Sequence, residues 1–307
     1  YCRDRDLPLD FVSAHIYPER YMKGDIPANS LEEDLGSMMD SWLNMKRFYA
    51  GSDNTHETIR ALQDIIDENV ENSPNLHITE WCASAYGRNL IHDTAFMASF
   101  IVYNVLKCEE KVDSLGYWTF TDIMEELKAG ISHFHGGFGL INKDGIKKPG
   151  YYAYYLLSKL GDRVIARDEN YIVTKAGDDI KILVYNFAYF DDLFLNGDVS
   201  ALSATERYRV FEEKEDRDVL ITINGLNGRY KITRYELNRN NGSAFDEWVN
   251  MGAPENMKKE EIEYLKGISR PKIHTEIRAV EDEIKLGAHV PVHGIELIEL
   301  ETIYSKK

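Results

Sequence analysis

Residues 76–81 read Leu-His-Ile-Thr-Glu-Trp, a short run that follows the turn residues Asn72-Ser73-Pro74-Asn75. A short apolar run bounded by turn residues predicts a buried β-strand, here with Glu80 near its carboxyl end. Two more runs have the same character: residues 9–15 end in polar side chains, and residues 114–120 are rich in aromatic ones. We therefore predict three strands in the first half of the chain.

Helical patterns alternate with these strands. They cover residues 55–68, about 93–107 and 149–160, and Asp93 is expected to cap the second helix. Strands that alternate with helices indicate a parallel sheet whose connections are helical crossovers. The sequence thus predicts an α/β domain over residues 1–161.

The pattern changes to short β-type runs after residue 161. Turn dipeptides such as Asn224-Gly225 separate them, and one helix is predicted over residues 258–266. The charged segment 205–218 is predicted to be an exposed loop. We expect residues 162–307 to form an antiparallel β-sandwich, so that the fold class is α/β plus all-β. The predicted strands are 171–174, 180–187, 219–224, 228–237, 274–278 and 294–303.

Charge and composition exclude several classes of partner. The 307 residues include 36 Lys and Arg against 52 Asp and Glu, a net charge of −16 that disfavours nucleic acid and anionic membranes. The longest apolar run, residues 97–106, is about half of the roughly 20 residues that span a bilayer. The scattered cysteines Cys2, Cys82 and Cys108 predict neither disulfides nor zinc, which favours a cytoplasmic location.

Aromatic and titratable side chains meet at the carboxyl ends of the three predicted strands, where a parallel α/β fold holds its active site. Aromatic faces stack on sugar rings, while carboxylates and histidines bind sugar hydroxyls. A strand-end carboxylate can also attack an anomeric carbon if a second carboxyl about 5–5.5 Å away serves as acid and base. These residues predict a small saccharide as the ligand; they are His15, Tyr17, Glu80, Trp118, Glu125 and Glu126.

Metal and phosphate sites are not indicated by the remaining motifs. His133 and His135 lie on one face of an extended segment, but no third ligand stands at a suitable spacing. The segment Gly136-Gly137-Phe138-Gly139 lacks the Lys and the Ser or Thr of a phosphate-binding loop, so we expect a turn. We predict no metal and no cofactor.

Four stretches carry a family resemblance: Asp-Phe-Val-Ser-Ala-His-Ile-Tyr-Pro at 10–18, Ile-Thr-Glu-Trp at 78–81, Tyr-Trp-Thr-Phe-Thr-Asp-Ile-Met-Glu-Glu at 117–126 and Phe-His-Gly-Gly-Phe-Gly-Leu at 134–140. Together they resemble glycoside hydrolase family 39, on its β-xylosidase side. The resemblance implies a retaining hydrolase on a (β/α)8 barrel, of which residues 1–161 would supply about strands six to eight.

The resemblance also implies roles for single residues. Glu80 would be the nucleophile, while His15 and Tyr17 would touch the sugar and the nucleophile. Trp118 would be the platform on which the sugar ring stacks. Glu125 would bind a sugar hydroxyl, and Glu126 would support Glu125.

The family's acid/base is a Glu in an Asn-Glu-Pro sequence, and this sequence contains no Asn-Glu-Pro. The chain is therefore expected to begin just before the sixth barrel strand and to lack the proton donor. An open barrel edge would favour a homo-oligomer or a retained partner fragment. Two alternatives stay open: a sugar-sensing module of an arabinose-operon-type transcription regulator, and the family's α-L-iduronidase branch, for which Arg88 is a candidate cation.

Overall fold

Two compact units make up the chain. The computed structural model describes residue 5 and residues 7–20, 47–70, 74–124 and 130–304. The units interleave along the sequence, so they do not coincide with the ranges 1–161 and 162–307, which stay a prediction. The first unit comprises Tyr1–Asn89, Asn104–Trp118 and Tyr189–Glu212, and the second comprises Leu90–Tyr103, Thr119–Ala188 and Glu213–Lys307.

The first unit contains a three-stranded parallel sheet, which confirms the predicted strands and their parallel order. Its strands are β1 (Phe11–Ile16), β4 (Asn75–Trp81) and β5 (Ser114–Tyr117), in the order β1-β4-β5. A short antiparallel pair, β2 (Glu19–Arg20) and β3 (Phe48–Tyr49), follows β1.

Helices connect the strands as the periodicity predicts. Helix α1 (Asn54–Asn69) precedes β4 and buries Ile59 and Ile66, and α2 (Phe96–Cys108) precedes β5. The apolar run 97–106 lies in α2, and no helix in the described part of the chain is long and apolar enough to cross a membrane.

Asp93 does not cap α2, which corrects the sequence prediction. The residue ends a short 3-10 helix, Leu90–Asp93, whereas α2 begins only at Phe96. Its buried carboxylate accepts a hydrogen bond from the backbone N–H of Gly136 and lies 2.6 Å from Lys148 Nζ. A buried carboxylate requires a charge partner and strong donors, and this pairing supplies both.

The second unit contains a six-stranded antiparallel sheet. Its strands are β6 (Arg163–Asp168), β7 (Tyr171–Ala176), β8 (Asp179–Tyr185), β9 (Arg217–Leu237), β10 (Lys272–Val290) and β11 (Ile295–Ile303), in the order β10-β9-β11-β8-β7-β6. The strands β9 and β10 are much longer than predicted, and β6 was not predicted. The unit also holds α3 (Pro149–Leu157), an unpredicted helix α5 (Ala244–Asn250), and α6 (Lys259–Ile268); α4 (Asp192–Leu195) belongs to the first unit.

The long strands β9 and β10 bend near their middle. Gly225 and Gly228 have positive φ angles of 77° and 128°, and Asp282 opposite them has one of 66° at a register shift. Residues with positive φ allow a sharp bend without breaking the ladder. Both halves of the two strands contribute to one hydrophobic cluster with β8 and β11, which includes Ile182, Ile232, Val280, Leu286 and Ile298.

The segment 205–218 is largely the exposed loop that its charge predicted, but it is anchored by buried side chains. Arg207 is only 1% exposed, and Val210 and Phe211 are buried. The Phe211 ring stacks on Phe190 at a centroid distance of 5.8 Å. The charges that follow, from residue 212 to 216, are exposed, so the apolar residues in front of them decide how the segment packs.

Candidate functional site

The Glu80 carboxylate lies near the end of β4 and receives a partner at each oxygen. The Tyr17 hydroxyl donates a hydrogen bond to Oε1, and His15 Nδ1 lies 3.3 Å from Oε2. The Glu80 side chain is 19% exposed and that of His15 is 58% exposed. The structure therefore brings together three of the predicted site residues, and it leaves a route from solvent to the carboxylate.

A register shift between β1 and β4 produces this arrangement. Ala14 pairs with Ile78, but the next residue, His15, pairs with Glu80, so Thr79 is the extra residue of a bulge. A bulge re-aims the side chains that follow it. Here it places Glu80 directly opposite His15.

The Tyr17 phenol remains a hydrogen-bond donor over the physiological pH range. Its burial, followed by its hydrogen bond to the Glu80 carboxylate, raises the pKa of Tyr17 far above its ordinary value of 10.0. A neutral phenol donates to a carboxylate, which only accepts. The Tyr17 hydroxyl can therefore orient the Glu80 carboxylate toward an electrophile.

Trp118 follows β5 at the same edge of the parallel sheet as Glu80. Its backbone N–H donates to the carbonyl of Trp81 at 2.9 Å, and its side chain is half-buried. The preceding Tyr117 packs edge-on against the buried Trp81 ring, with centroids 6.0 Å apart. The role of Trp118 as a stacking platform stays a prediction.

Two predicted site residues and two histidines that were considered as metal ligands remain to be placed. Glu125 and Glu126 lie outside the described residues. His133 contacts Asp144 at 2.7 Å and the carbonyl of Glu255 at 3.0 Å, while His135 lies 3.8 Å from Asp122. In the part of the chain that the structure describes, no group of three or more His, Cys, Asp or Glu side chains could hold a metal.

Sequence reasoning missed Glu19, a buried carboxylate close in sequence to Tyr17. Its Oε1 accepts hydrogen bonds from the Ser84 hydroxyl at 2.7 Å and from the backbone N–H of Ala85 at 2.8 Å. Its Oε2 lies 3.6 Å from Arg47, and the Glu19 side chain is 2% exposed. The available signal was its position two residues after Tyr17, but a charged residue in a loop is more commonly exposed.

A buried ion cluster in the second unit was missed as well. Lys148, 1% exposed, lies 2.6 Å from Asp93 and 2.9 Å from Asp122, and it also donates to the carbonyl of Gly137. Asp122 in turn accepts from the backbone N–H of Gly139, where an added Cβ would lie 2.2 Å from the Asp122 nitrogen. The segment Gly136-Gly137-Phe138-Gly139 therefore packs around the Asp122 carboxylate.

Protonation of His92, beside this cluster, is expected to destabilise the second unit. Burial first, and then the Lys148 charge, lower the pKa of His92 from 6.5 to about 4, and its Nδ1 lies 3.0 Å from the carbonyl of Gly136. The unfolded chain binds this proton below pH 6.5 and the folded one only near pH 4. The contribution of neutral His92 to the free energy of unfolding is therefore fully present above pH 6.5, and it is lost as the pH falls toward 4.

Replacement of His92 by Gln is expected to reduce this pH dependence. The full effect of the His92 shift is on the order of 3 kcal/mol. Urea midpoints at pH 7.5 and pH 4.5 measure it, and the difference between the two pH values should be smaller in His92→Gln than in the unchanged protein. An equal difference in both proteins would contradict the prediction.

Comparisons with known proteins identify the family of the chain. The sequence model of glycosyl hydrolases family 39 matches residues 1–283. A β-xylosidase of Geobacillus stearothermophilus is 29% identical over an alignment of 310 positions, which covers 99% of this chain and 54% of the relative. An uncharacterized HTH-type transcriptional regulator of Staphylococcus aureus (strain COL) is 26% identical over 206 residues, 67% of this chain and 26% of that protein.

A solved structure has a similar fold. The monomeric β-xylosidase from Caulobacter crescentus CB15 matches with a TM-score of 0.79 and 22% sequence identity, over 99% of this chain and 58% of that chain. The chain thus spans about half the length of the β-xylosidase relatives that it matches.

Proposed function

The chain belongs to glycosyl hydrolase family 39, and from this membership we propose that it carries the nucleophile of a retaining β-xylosidase-type glycosidase. The observation that carries the proposal is the Glu80 carboxylate at a strand end, held by Tyr17 on one oxygen and by His15 near the other. The proposed ligand is a xyloside or a short xylo-oligosaccharide, bound without a metal or cofactor.

The finer fold assignment is part of this proposal. The strands β1, β4 and β5 would be strands six, seven and eight of a (β/α)8 barrel, which their parallel order supports. The sheet of the second unit would be the accessory β-sandwich. The cluster that joins both halves of β9 and β10 to β8 and β11 supports two packed layers.

In the first step, a Glu80 oxygen attacks the anomeric carbon, and the bond from that carbon to the leaving oxygen breaks. A second carboxylic acid gives its proton to the leaving oxygen. In the second step, the same group removes a proton from water, the water oxygen bonds to the anomeric carbon, and the ester bond to Glu80 breaks. Since the sequence has no Asn-Glu-Pro, we place this acid/base on a barrel strand outside these 307 residues.

The remaining site residues would bind and orient the sugar. Tyr17 would hold one oxygen of Glu80 so that the other faces the anomeric carbon, and His15 would contact the same carboxylate and the sugar. Trp118 would stack beneath the ring, because an indole face covers the C–H face of a pyranose. Glu125 and Glu126 would bind hydroxyl groups.

Covalent trapping of Glu80 tests the proposal. The protein is incubated with 2,4-dinitrophenyl 2-deoxy-2-fluoro-β-D-xyloside, whose leaving group departs with little help from an acid. We expect an intact-mass increase of one fluoroxylosyl group and a peptide map that places it on Glu80. A folded protein that stays unlabelled, or that is labelled at another residue, would refute the assignment.

Tyr17→Phe is expected to slow this labelling by roughly 10- to 100-fold, because the variant removes one hydrogen bond that orients the nucleophile. The rate of dinitrophenolate release measures the effect. Tyr86→Phe is a matched control that removes a tyrosine hydroxyl from the same unit. Equal rates for Tyr17→Phe and Tyr86→Phe would show that the Tyr17 hydroxyl does not orient Glu80.

A second candidate function is a sugar-sensing module of a bacterial transcription regulator. The similarity to the Staphylococcus aureus regulator favours it. Such a module would bind xylose or xylobiose with slow or no turnover, and DNA would be bound by another segment. Calorimetric binding of xylobiose without release of xylose would support the sensor, whereas hydrolysis would support the enzyme.

We also propose a cytoplasmic location for the protein, which the scattered cysteines favour. This assignment does not depend on whether the site catalyses or only binds.

A further inference from the structure

Glu19 joins the two chain segments that carry Tyr17 and Glu80. On one side, Glu19 begins β2, two residues after Tyr17, and pairs with Tyr49 of β3. On the other side, its Oε1 accepts from Ser84 and Ala85, which follow Glu80 by four and five residues. A single carboxylate oxygen therefore ties the segment after β1 to the segment after β4.

A wider set of hydrogen bonds supports this connection. The Tyr49 hydroxyl donates to Ser84 Oγ at 3.4 Å and accepts from Asn89 Nδ2 at 2.7 Å, so the segment after β4 is bound at both ends. Arg47 balances the buried charge of Glu19 from a distance of 3.6 Å. A charge that is 2% exposed persists in a protein when it is paired and hydrogen-bonded, as it is here.

We propose that Glu19 is a positioning residue, which sets the contact between the Tyr17 hydroxyl and the Glu80 carboxylate by holding Ser84 and Ala85. This inference rests on the proposed function, because it assigns Glu19 to the arrangement of the same nucleophile. Glu19 itself does not touch the sugar. It acts through the relative position of the two strand ends.

The electrostatics of the site agree with this role. Burial and the hydrogen bond to Glu80 raise the pKa of Tyr17, and the negative charge of Glu19 raises it further. The contribution of the Glu19 charge is smaller than those of burial and of the hydrogen bond, and it acts in the same direction.

The test compares Glu19→Ala with Glu19→Gln in the labelling reaction with the dinitrophenyl fluoroxyloside. Glutamine keeps an oxygen that can accept from Ser84 and Ala85, whereas alanine removes both hydrogen bonds. We expect Glu19→Ala to label Glu80 about 100-fold more slowly, since a displacement of about 1 Å costs that much, and Glu19→Gln to recover most of the rate. Labelling of Glu19→Ala at the unchanged rate, or equal loss in both variants, would overturn the proposal.

A control variant separates this effect from a general loss of structure. Gln63→Ala removes a hydrogen bond from the Gln63 side chain to the carbonyl of Lys111, which lies in the same unit and precedes β5, whereas Glu80 lies near the end of β4. It is expected to label at the unchanged rate at a temperature at which all variants are folded by circular dichroism. Slow labelling of Gln63→Ala as well would mean that any local weakening produces the effect, which contradicts a specific role of Glu19.

A second readout does not depend on reaction at Glu80. The tyrosines carry ¹³C at Cζ, and Tyr17→Phe identifies the Tyr17 signal among the 19 tyrosines. We expect Glu19→Ala to move the Tyr17 signal toward that of a phenol in water and Glu19→Gln to leave it nearly in place. An unmoved signal in Glu19→Ala would overturn the inference. Should the unchanged protein fail to label, the proposed function fails, while this comparison still decides the role of Glu19.

Discussion

Replacement of Glu80 by glutamine is expected to lower the rate of dinitrophenolate release from the fluoroxyloside by roughly 10⁴- to 10⁶-fold, as for other nucleophile substitutions. Glutamine has nearly the same size and can still accept a hydrogen bond from Tyr17. It lacks the negative charge that attacks the anomeric carbon, so the first bond does not form. Intact mass and dinitrophenolate absorbance measure the result.

The control for this substitution is Glu57→Gln, which removes an exposed carboxylate from the first turn of α1. We expect Glu57→Gln to label at the unchanged rate. Substantial labelling of Glu80→Gln would remove Glu80 from the role of nucleophile. Loss of reaction together with loss of the native circular dichroism spectrum would show instead that the substitution unfolds the site.

Lys148→Met is expected to destabilise the second unit by roughly 3–5 kcal/mol, because it leaves two buried carboxylates without their cation. Burial by itself lowers the pKa of Lys148, but the Asp93 and Asp122 charges more than offset it, so the pKa is raised and the ammonium stays charged. The midpoint of thermal unfolding, measured by calorimetry, should fall by roughly 10 °C.

The matched control is Lys231→Met, which breaks an exposed pair with Glu301 in the same unit. Exposed pairs are screened by solvent, so the midpoint should hardly change. Similar midpoints for Lys148→Met and Lys231→Met would mean that the buried cluster does not stabilise the unit. A large loss in Lys148→Met alone would establish that it does.

The local sequence pattern predicted most of the helices and strands, but it did not predict where strand pairing continues through a bend. The helix at 54–69 and the strand at 75–81 agree with prediction to within one residue at each end. The predicted strands 219–224 and 228–237 are instead one strand, β9, because Gly225 and Gly228 bend the chain without ending the ladder. A turn dipeptide indicates a change of direction, and it does not indicate whether pairing stops there.

The resemblance implied that His15 and Tyr17 touch Glu80, but it gave no geometry for these contacts. Strand-end chemistry indicated His15, Tyr17, Glu80 and Trp118 without any distance between them. The bulge at Thr79, which places Glu80 opposite His15, depends on the pairing of two strands that are distant in sequence. Glu19 was missed because its burial depends on partners at Arg47, Ser84 and Ala85.

The sequence by itself determined the alternation of strands and helices, the acidic charge and the residue types at the strand ends, since each depends on neighbouring residues or on composition. The tertiary structure alone decided which oxygen of Glu80 accepts the hydrogen bond from Tyr17, 63 residues away, and that Asp93 pairs with Lys148 rather than capping α2. In both cases the question is which partner a carboxylate binds, that of Glu80 or that of Asp93. Burial decides them, because a carboxylate removed from water takes the donors and cations that the fold brings within reach.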